Sequence, residues 1–274
     1  MTRTSQASPG SLPEAVPLPE VHPTAIVDRS AHLSPGVVVG PYSILEPDVV
    51  VGEGTRIDSH VRIGRGTRLG RDNRISHGAV LGTEPQDVTY RDEPTVLEIG
   101  DRNIIREYAT IHRGTAHSFK TVVGDDCFIM AYAHIAHDCR IGNRVVLANS
   151  VNMAGHVVME DWVVVGGVVP IHQFVRVGCH AMIGGGFRIP QDVCPYALLG
   201  GYPLKTVGLN IVGLRRRGFS SERLAPLKAA FRLLFQSGLN TSHALERIAA
   251  EIEPTPELQH LVEFVKTSQR GIVK

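Results

Sequence analysis

The chain places an aliphatic residue at every sixth position from Val27 to Ile189, and that spacing decides what it can fold into. The series runs through Leu33, Val39, Leu45, Val51, Ile57, Ile63, Leu69, Ile75 and Leu81. It resumes in the same phase at Ile99 and continues through Ile135, Leu147, Met159 and Val177 to Ile189. Of 28 positions in phase 25 are aliphatic, so the failures at Asp87, Glu93 and His117 carry information of their own. A helix stripe needs a period of about 3.6 and a half-buried strand one of about 2. A sustained period of six marks a parallel β-helix, a β-solenoid in which each hexad supplies a flat face and its corner and three hexads close a triangular coil. Residues three hexads apart then lie one above another, at roughly the 4.8 Å spacing of neighbouring strands.

Small or β-branched residues recur two places before the anchors, as at Ala25, Val37, Ser43, Thr55, Thr67, Ala79, Ala109, Cys127, Ala133, Cys139 and Val145. They suit a tight corner with little internal room. Glycine often follows the anchor, as at Gly40, Gly52, Gly64, Gly100, Gly124, Gly142, Gly166 and Gly178. Either a positive φ or a close backbone approach would favour it there.

The balance of 28 basic against 27 acidic residues leaves a net charge of +1, which gives no ground for nucleic-acid binding. Four cysteines, Cys127, Cys139, Cys179 and Cys194, lack CxxC spacing and read as buried thiols of a reducing compartment. Residues 1–21 are rich in Pro, Ser and Glu without an apolar h-region, which predicts a disordered leader instead of a signal peptide. No stretch approaches the roughly 18 apolar residues of a membrane span, so a cytoplasmic location is expected.

The solenoid is expected over residues 22–200, where Pro190 and Pro195 begin to lead the chain out, and a helical domain over 201–274. In the latter, Ser220 caps a segment with Leu224, Leu227, Ala230, Phe231, Leu234 and Phe235 at helical spacing. Further helical segments run from about Ser242 to Ile252 and onward from Pro256. Two interruptions of the period, residues 82–98 and 113–120, predict loops extruded at corners, where solenoids often build their binding face.

Five histidines, His134, His137, His156, His172 and His180, crowd the upper solenoid. Stacking arithmetic puts His137, Gly155 and Gln173 in one column, with His156 and His172 beside it. An imidazole near a glycine whose N–H is free offers a base and an oxyanion donor together. The rival readings are a solenoid surface that tolerates histidine and a zinc site using His134 and His137.

The stretch His134-Ile-Ala-His137-Asp138-Cys139, followed by Leu147-Ala-Asn149, Ala154-Gly155-His156 and Ile171-His172-Gln173-Phe174, resembles the UDP-N-acetylglucosamine acyltransferases of lipid A biosynthesis. Ile111-His-Arg-Gly-Thr115, Gln86-Asp87, Gln191-Asp192-Val193 and Asn210-Ile through Arg216-Arg217-Gly218-Phe219-Ser220 extend the likeness over residues 22–274. The resemblance implies a left-handed parallel β-helix with a C-terminal α-helical domain, assembled as a homotrimer with active sites between subunits. It implies transfer of an R-3-hydroxyacyl group from acyl carrier protein to the 3-position of UDP-N-acetylglucosamine, without metal or other cofactor. His137 would be the general base and the Gly155 N–H the oxyanion donor. Asp138 would support His137, although adjacent residues of an extended chain point apart.

By the same resemblance Gln86, Asp87, His134 and His156 would meet the sugar and acyl groups, and His172, Gln173, Asn210, Arg216 and Arg217 the nucleotide. Gly185 matches the position that limits acyl length, and its missing side chain implies a long chain of about fourteen carbons. Three departures stand out: Thr89 and Val212 replace the usual lysine and glutamate, and Phe187-Arg188 replace smaller residues. A sibling transferase acting on a 3-amino sugar nucleotide, and a catalytically silent scaffold, are the alternatives.

Overall fold

A computed structural model describes residues 17–274, so most of the expected leader lies outside the described residues. The period of six becomes three parallel sheets wound into a left-handed solenoid. Sheet A has eleven strands, from Glu20–Val21 to Lys205–Leu209; sheet B has eight, from Ile26–Val27 to Pro170–Ile171; sheet C has eight, from His32–Leu33 to Arg176–Val177. Most strands are two residues long, one pointing out and the anchor pointing in.

Both domain boundaries move. Glu20–Val21 already pairs with Val38–Val39, because the N–H groups of Glu20 and His22 find the carbonyls of Val37 and Val39 at 2.8 and 2.9 Å. At the other end Ala197–Gly200 adds to sheet A in parallel and Lys205–Leu209 folds back antiparallel on it, so sheet continues past residue 200. Helices start at α1 (Ile211–Arg216), a single short piece whose six residues are too few to show a period. α2 (Ser221–Phe235), α3 (Thr241–Glu251) and α4 (Pro256–Lys266) follow, capped by the side chains of Ser220, Asn240 and Thr255. Among the described residues no helix is long and apolar enough to cross a membrane.

The anchors of sheet A from Val39 to Ile183 are at most 2 % exposed, and each such side chain stabilises the coil by about 1.5–3 kcal/mol. The small corner residues from Val37 onward are buried as well, and the polar ones bond to backbone. The hydroxyls of Ser43 and Thr55 donate to the carbonyls of Asp58 and Gly70 at 2.7 and 2.9 Å, so they cost the interior little. All four cysteines are free thiols; Cys127, Cys139 and Cys194 are buried and Cys179 is half-buried.

Glycines that follow the anchors serve close approach: a Cβ at Gly40 would lie 2.8 Å from the Asp58 carbonyl carbon. The left-handed φ falls two residues later and is borne mostly by non-glycine residues. Tyr42, His60, Tyr108 and Tyr132 hold it after sheet A, Asp138, His156 and Phe174 after sheet B, and Arg144, Trp162 and His180 after sheet C. Their φ angles lie between 55° and 64°, a conformation that strains an L-residue and persists because the stacked coils hold it.

Both interruptions leave from the corner between sheets B and C. The first, after the strand Val80–Thr83, is extruded as expected, with Val88 94 % exposed. The second, after Thr110–His112, is extruded only at its tip, with Phe119 54 % exposed, while its base, with Arg113 and Thr115 3 % and 8 % exposed, folds back over the corner. The physical reason is a carboxylate that needs it.

Candidate active site

Asp138 sits at the left-handed corner position with φ +61°, so the chain there is not extended and its side chain turns back toward its neighbour. His137 Nδ1 and Asp138 Oδ2 are 2.8 Å apart. The carboxylate is 4 % exposed and is met by the second loop. Oδ1 accepts from the Thr115 N–H at 3.1 Å, the Ser118 N–H at 3.3 Å and the Ser118 hydroxyl at 2.5 Å; Oδ2 also accepts the Thr115 hydroxyl at 2.6 Å. Burial pushes the Asp138 carboxyl up, but the bonds from His137, Ser118 and Thr115 outweigh it and hold the group well below the usual carboxylate range. An ionised Asp138 keeps the His137 proton on Nδ1 and leaves the Nε2 lone pair free.

Gly155 stands over that ring as the stacking arithmetic requires. A Cβ there would come within 2.6 Å of His137 Cε1 and 2.9 Å of Nε2, so only glycine lets the imidazole occupy this position. Among the described residues the Gly155 N–H donates to no protein acceptor. His137, Gly155 and Gln173 line one cavity of about 520 Å³ with Gln86, Thr110, His134 and Asn152. A base and an unspent N–H donor therefore share a space large enough for a reacting centre.

More histidines surround it. Thr110 Oγ1 lies 2.7 Å from His134 Nδ1, and the buried His112 ring packs edge-on against His134 at 4.9 Å. Burial lowers His134, and burial with the neighbouring His134 and His137 lowers His112 to about 4, which keeps both neutral at physiological pH. His156 stacks on Phe174 at 4.3 Å with an interplanar angle of 2°, meets the His117 ring at 4.6 Å, and places Nδ1 3.8 Å from Asp138 Oδ2. His137, Asp138 and His156 bring ligand atoms close enough for a metal, but Thr115 and Ser118 already fill much of the Asp138 acceptor capacity.

Asp87 shapes its own loop: Oδ1 accepts from the Thr89 N–H and hydroxyl, each at 2.8 Å. Those two bonds lower its carboxyl, and the fields of His137 and His156 act in the same sense. Thr115, Ser118, His112, His117 and Phe174 are the site neighbours that residue spacing did not single out. Of these, His117 left a signal as one of the three failures of phase, and His112, Thr115 and Phe174 lie within stretches that carried the resemblance.

Asn210, Arg216 and Arg217 do not join this group. They line a second cavity of about 620 Å³ on the outside of sheet A, over Val164, Met182 and Leu198. Asn210 Oδ1 accepts from the Gly213 N–H at 3.2 Å and Nδ2 donates to the His180 carbonyl at 3.0 Å, so the side chain caps α1. Arg217 lies over the Trp162 ring at 5.1 Å and 3.3 Å from His180 Nδ1, and Val212 is 62 % exposed on the same cavity. His172 instead meets Arg270 Nη2 at 3.2 Å. On one chain the residues expected at the nucleotide are thus divided between two faces. Gly185 lies at the edge between sheets A and B, where a Cβ would stand 2.9 Å from the Gly167 oxygen.

Residues 192–273 match the family described as UDP N-acetylglucosamine O-acyltransferase, domain 2, and residues 120–155 match the bacterial transferase hexapeptide of six repeats. The chain is 53 % identical over 255 residues to the acyl-(acyl-carrier-protein) UDP-N-acetylglucosamine O-acyltransferase of Alkalilimnicola ehrlichii, covering 93 % of this chain and 99 % of that one. The corresponding protein of Paraburkholderia phymatum is 49 % identical over 259 residues, with coverage of 93 % and 99 %. Among solved structures, the UDP-N-acetylglucosamine acyltransferase of Bacteroides fragilis superposes with a TM-score of 0.90 at 40 % identity, covering 92 % of this chain and 99 % of that one. The Francisella novicida enzyme gives 0.88 at 39 % identity, with coverage of 92 % and 93 %.

Proposed function

The chain belongs to the UDP-N-acetylglucosamine O-acyltransferase family, and from that premise we propose how its own residues carry the reaction. It moves a 3-hydroxyacyl group from acyl carrier protein to the 3-hydroxyl of UDP-N-acetylglucosamine, the first step of lipid A biosynthesis. His137 Nε2 takes the proton of the sugar 3-hydroxyl as that oxygen attacks the thioester carbonyl. The negative charge that develops on the carbonyl oxygen meets the Gly155 N–H. Collapse expels the carrier thiol, which takes the proton back from His137, so the step balances without a cofactor. The observation that carries this reading is the 2.8 Å His137–Asp138 contact beneath a free Gly155 N–H.

Gln86, Asp87, His134 and His156 hold the sugar and the acyl head, and Gln173 the near part of the nucleotide. Asn210, Arg216 and Arg217 serve the diphosphate from a second copy, in a homotrimer that sets the sheet A cavity of one subunit against the sheet B cavity of its neighbour. The placement of these two cavities on different faces supports that assembly. Gly185 ends the acyl groove, and with no side chain there the groove takes long donors. Both substrates are water-borne, in keeping with work in the cytoplasm.

The deciding assay gives the purified protein UDP-N-acetylglucosamine and a panel of 3-hydroxyacyl carrier proteins, with His137→Ala alongside. The parent is expected to transfer long chains, and the variant to lose about 10² to 10⁴ in kcat at unchanged fold. A parent without transfer, or a fully active variant, would defeat the mechanism.

A further inference from the structure

Away from the active site, three side chains from distant parts of the chain meet where α4 rests on the solenoid. Glu160 follows the strand Val158–Met159 of sheet C, Cys179 lies one coil higher just after Arg176–Val177, and His260 comes from α4. Cys179 Sγ is 3.6 Å from His260 Nδ1, and Glu160 Oε2 is 3.1 Å from His260 Nε2. The Cys179 N–H donates to Glu160 Oε2 at 2.8 Å, which fixes the carboxylate beside the thiol, and Tyr196 Oη lies 3.3 Å from His260 Nδ1.

One sulfur, one ring nitrogen and one carboxylate oxygen here lie within 4.8 Å of one another. Ligands bound at about 2.0–2.3 Å around a tetrahedral ion stand roughly 3.3–3.8 Å apart; Cys179 Sγ already stands so from His260 Nδ1, and the Glu160 carboxylate, now on Nε2, completes the set by swinging round the ring edge to the Nδ1 side. Thiolate, imidazole and carboxylate together suit zinc, and the half-buried position leaves a fourth place for water. We propose that Glu160, Cys179 and His260 form a zinc-binding site that clamps α4 to the upper coils of the solenoid. Binding displaces to solvent the thiol proton and the proton that the Cys179 and Glu160 contacts favour on the ligating His260 nitrogen, and forms Zn–S, Zn–N and Zn–O bonds with no change of oxidation state.

Cobalt makes the test specific, because a thiolate ligand gives Co²⁺ an intense near-ultraviolet charge-transfer band. The cluster of His137, Asp138 and His156 has no sulfur, and Cys127, Cys139 and Cys194 are at most 1 % exposed. Chelator-treated full-length protein titrated with Co²⁺ should develop that band to saturation at one ion per chain and lose it on adding Zn²⁺. Cys179→Ser should abolish the band, and Zn²⁺ should raise the unfolding temperature of the parent but not of the variant. His260→Ala and Glu160→Gln should each weaken zinc binding at least about tenfold, and they decide the matter if Cys179→Ser fails to fold. A missing sulfur band, a band that survives Cys179→Ser, or unchanged affinity in the other two variants overturns the proposal.

Discussion

At the corner between sheets A and B the left-handed positions belong to Tyr42, His60, Tyr108 and Tyr132, whose rings, with His77, stack from coil to coil at 5.1–5.4 Å. The three tyrosines are 45–61 % exposed. At the corner between B and C the same positions belong to Asp138, His156 and Phe174, and there the carboxylate is buried. The φ angles agree within a few degrees, so the backbone turn is not the cause of the difference. What differs is that both inserted loops leave from the second corner, and the shorter one supplies Thr115 and Ser118 to Asp138. The repeat provides an angle; the insertion provides the burial and the donors that make an acid useful at that angle.

Asp138→Asn tests this most severely. Asn can keep its oxygen where Thr115 N–H and Ser118 donate, but its NH₂ then faces His137 Nδ1 at the present 2.8 Å contact. That forces the imidazole proton onto Nε2 and removes the base. A comparable tautomer error costs about 10⁴ in kcat in the serine-protease triad, and a drop of about 10³ to 10⁴ is expected here with the fold retained. Near-parental turnover in steady-state kinetics would make the two corners chemically equivalent and break the comparison.

Gly155→Ala comes next. Its methyl would press on His137 Cε1 from 2.6 Å, so the ring must move by several tenths of an ångström or more while the N–H at 155 survives. Misplacement on that scale costs about 10² in kcat. A smaller loss, with KM unchanged, would show that the ring can tilt without leaving its line of attack.

The stacking of His137, Gly155 and Gln173 was legible because the period of six converts residue number into height. Asp138 was harder: its pairing depends on a positive φ three places after the anchor, and at equivalent corners the sequence carries Tyr, Arg, Trp or His with no common mark. Thr115 and Ser118 were hidden for a related reason. They lie in a segment that lost phase and so read as extruded, although Asp138 draws it inward. The grouping of His172 with Asn210 and Arg217 followed from resemblance alone, because nothing in the period of six says that residues on sheets A and B, different faces of a triangular prism, act together. Cys179 and His260, 81 positions apart, left no local pattern at all.

The buried side of the B–C corner should also announce itself in pH. His112 is held neutral, chiefly by burial and then by His134 and His137, with its pKa lowered to about 4. Between that value and an unfolded value near 6.5 the unfolded chain binds the extra proton, so stability falls as pH drops through this window. The slope is up to about 1.4 kcal/mol per pH unit for one group. His180, also lowered to about 4 by burial and then Arg217, adds in the same sense. Asp138 acts in a separate window: its depressed pKa stabilises above the ordinary carboxylate range and fades only on acidification below it. Urea midpoints from pH 7 to 4.5 should therefore decline in the parent and decline less steeply in His112→Asn. An identical slope in the variant would assign the effect elsewhere.

The smallest effect belongs to the exposed corner. Tyr132 stacks on Tyr108 at 5.3 Å and 12°, a contact worth about 0.5–1.5 kcal/mol, yet the ring is 61 % exposed. Tyr132→Asn loses that stack but relieves strain, since Asn tolerates the φ of 62° better than Tyr does. The two terms offset, and urea unfolding should show a net loss under about 1 kcal/mol with kcat and KM unchanged. A stability loss that grows on dilution would mean that the A–B ladder is covered by other copies of the chain, which would give this corner to assembly as the B–C corner is given to chemistry. A fall in turnover at full stability would instead erase the division, because the A–B turn would then be acting on the reaction through the one strand, His134–Ile135, that separates Tyr132 from His137.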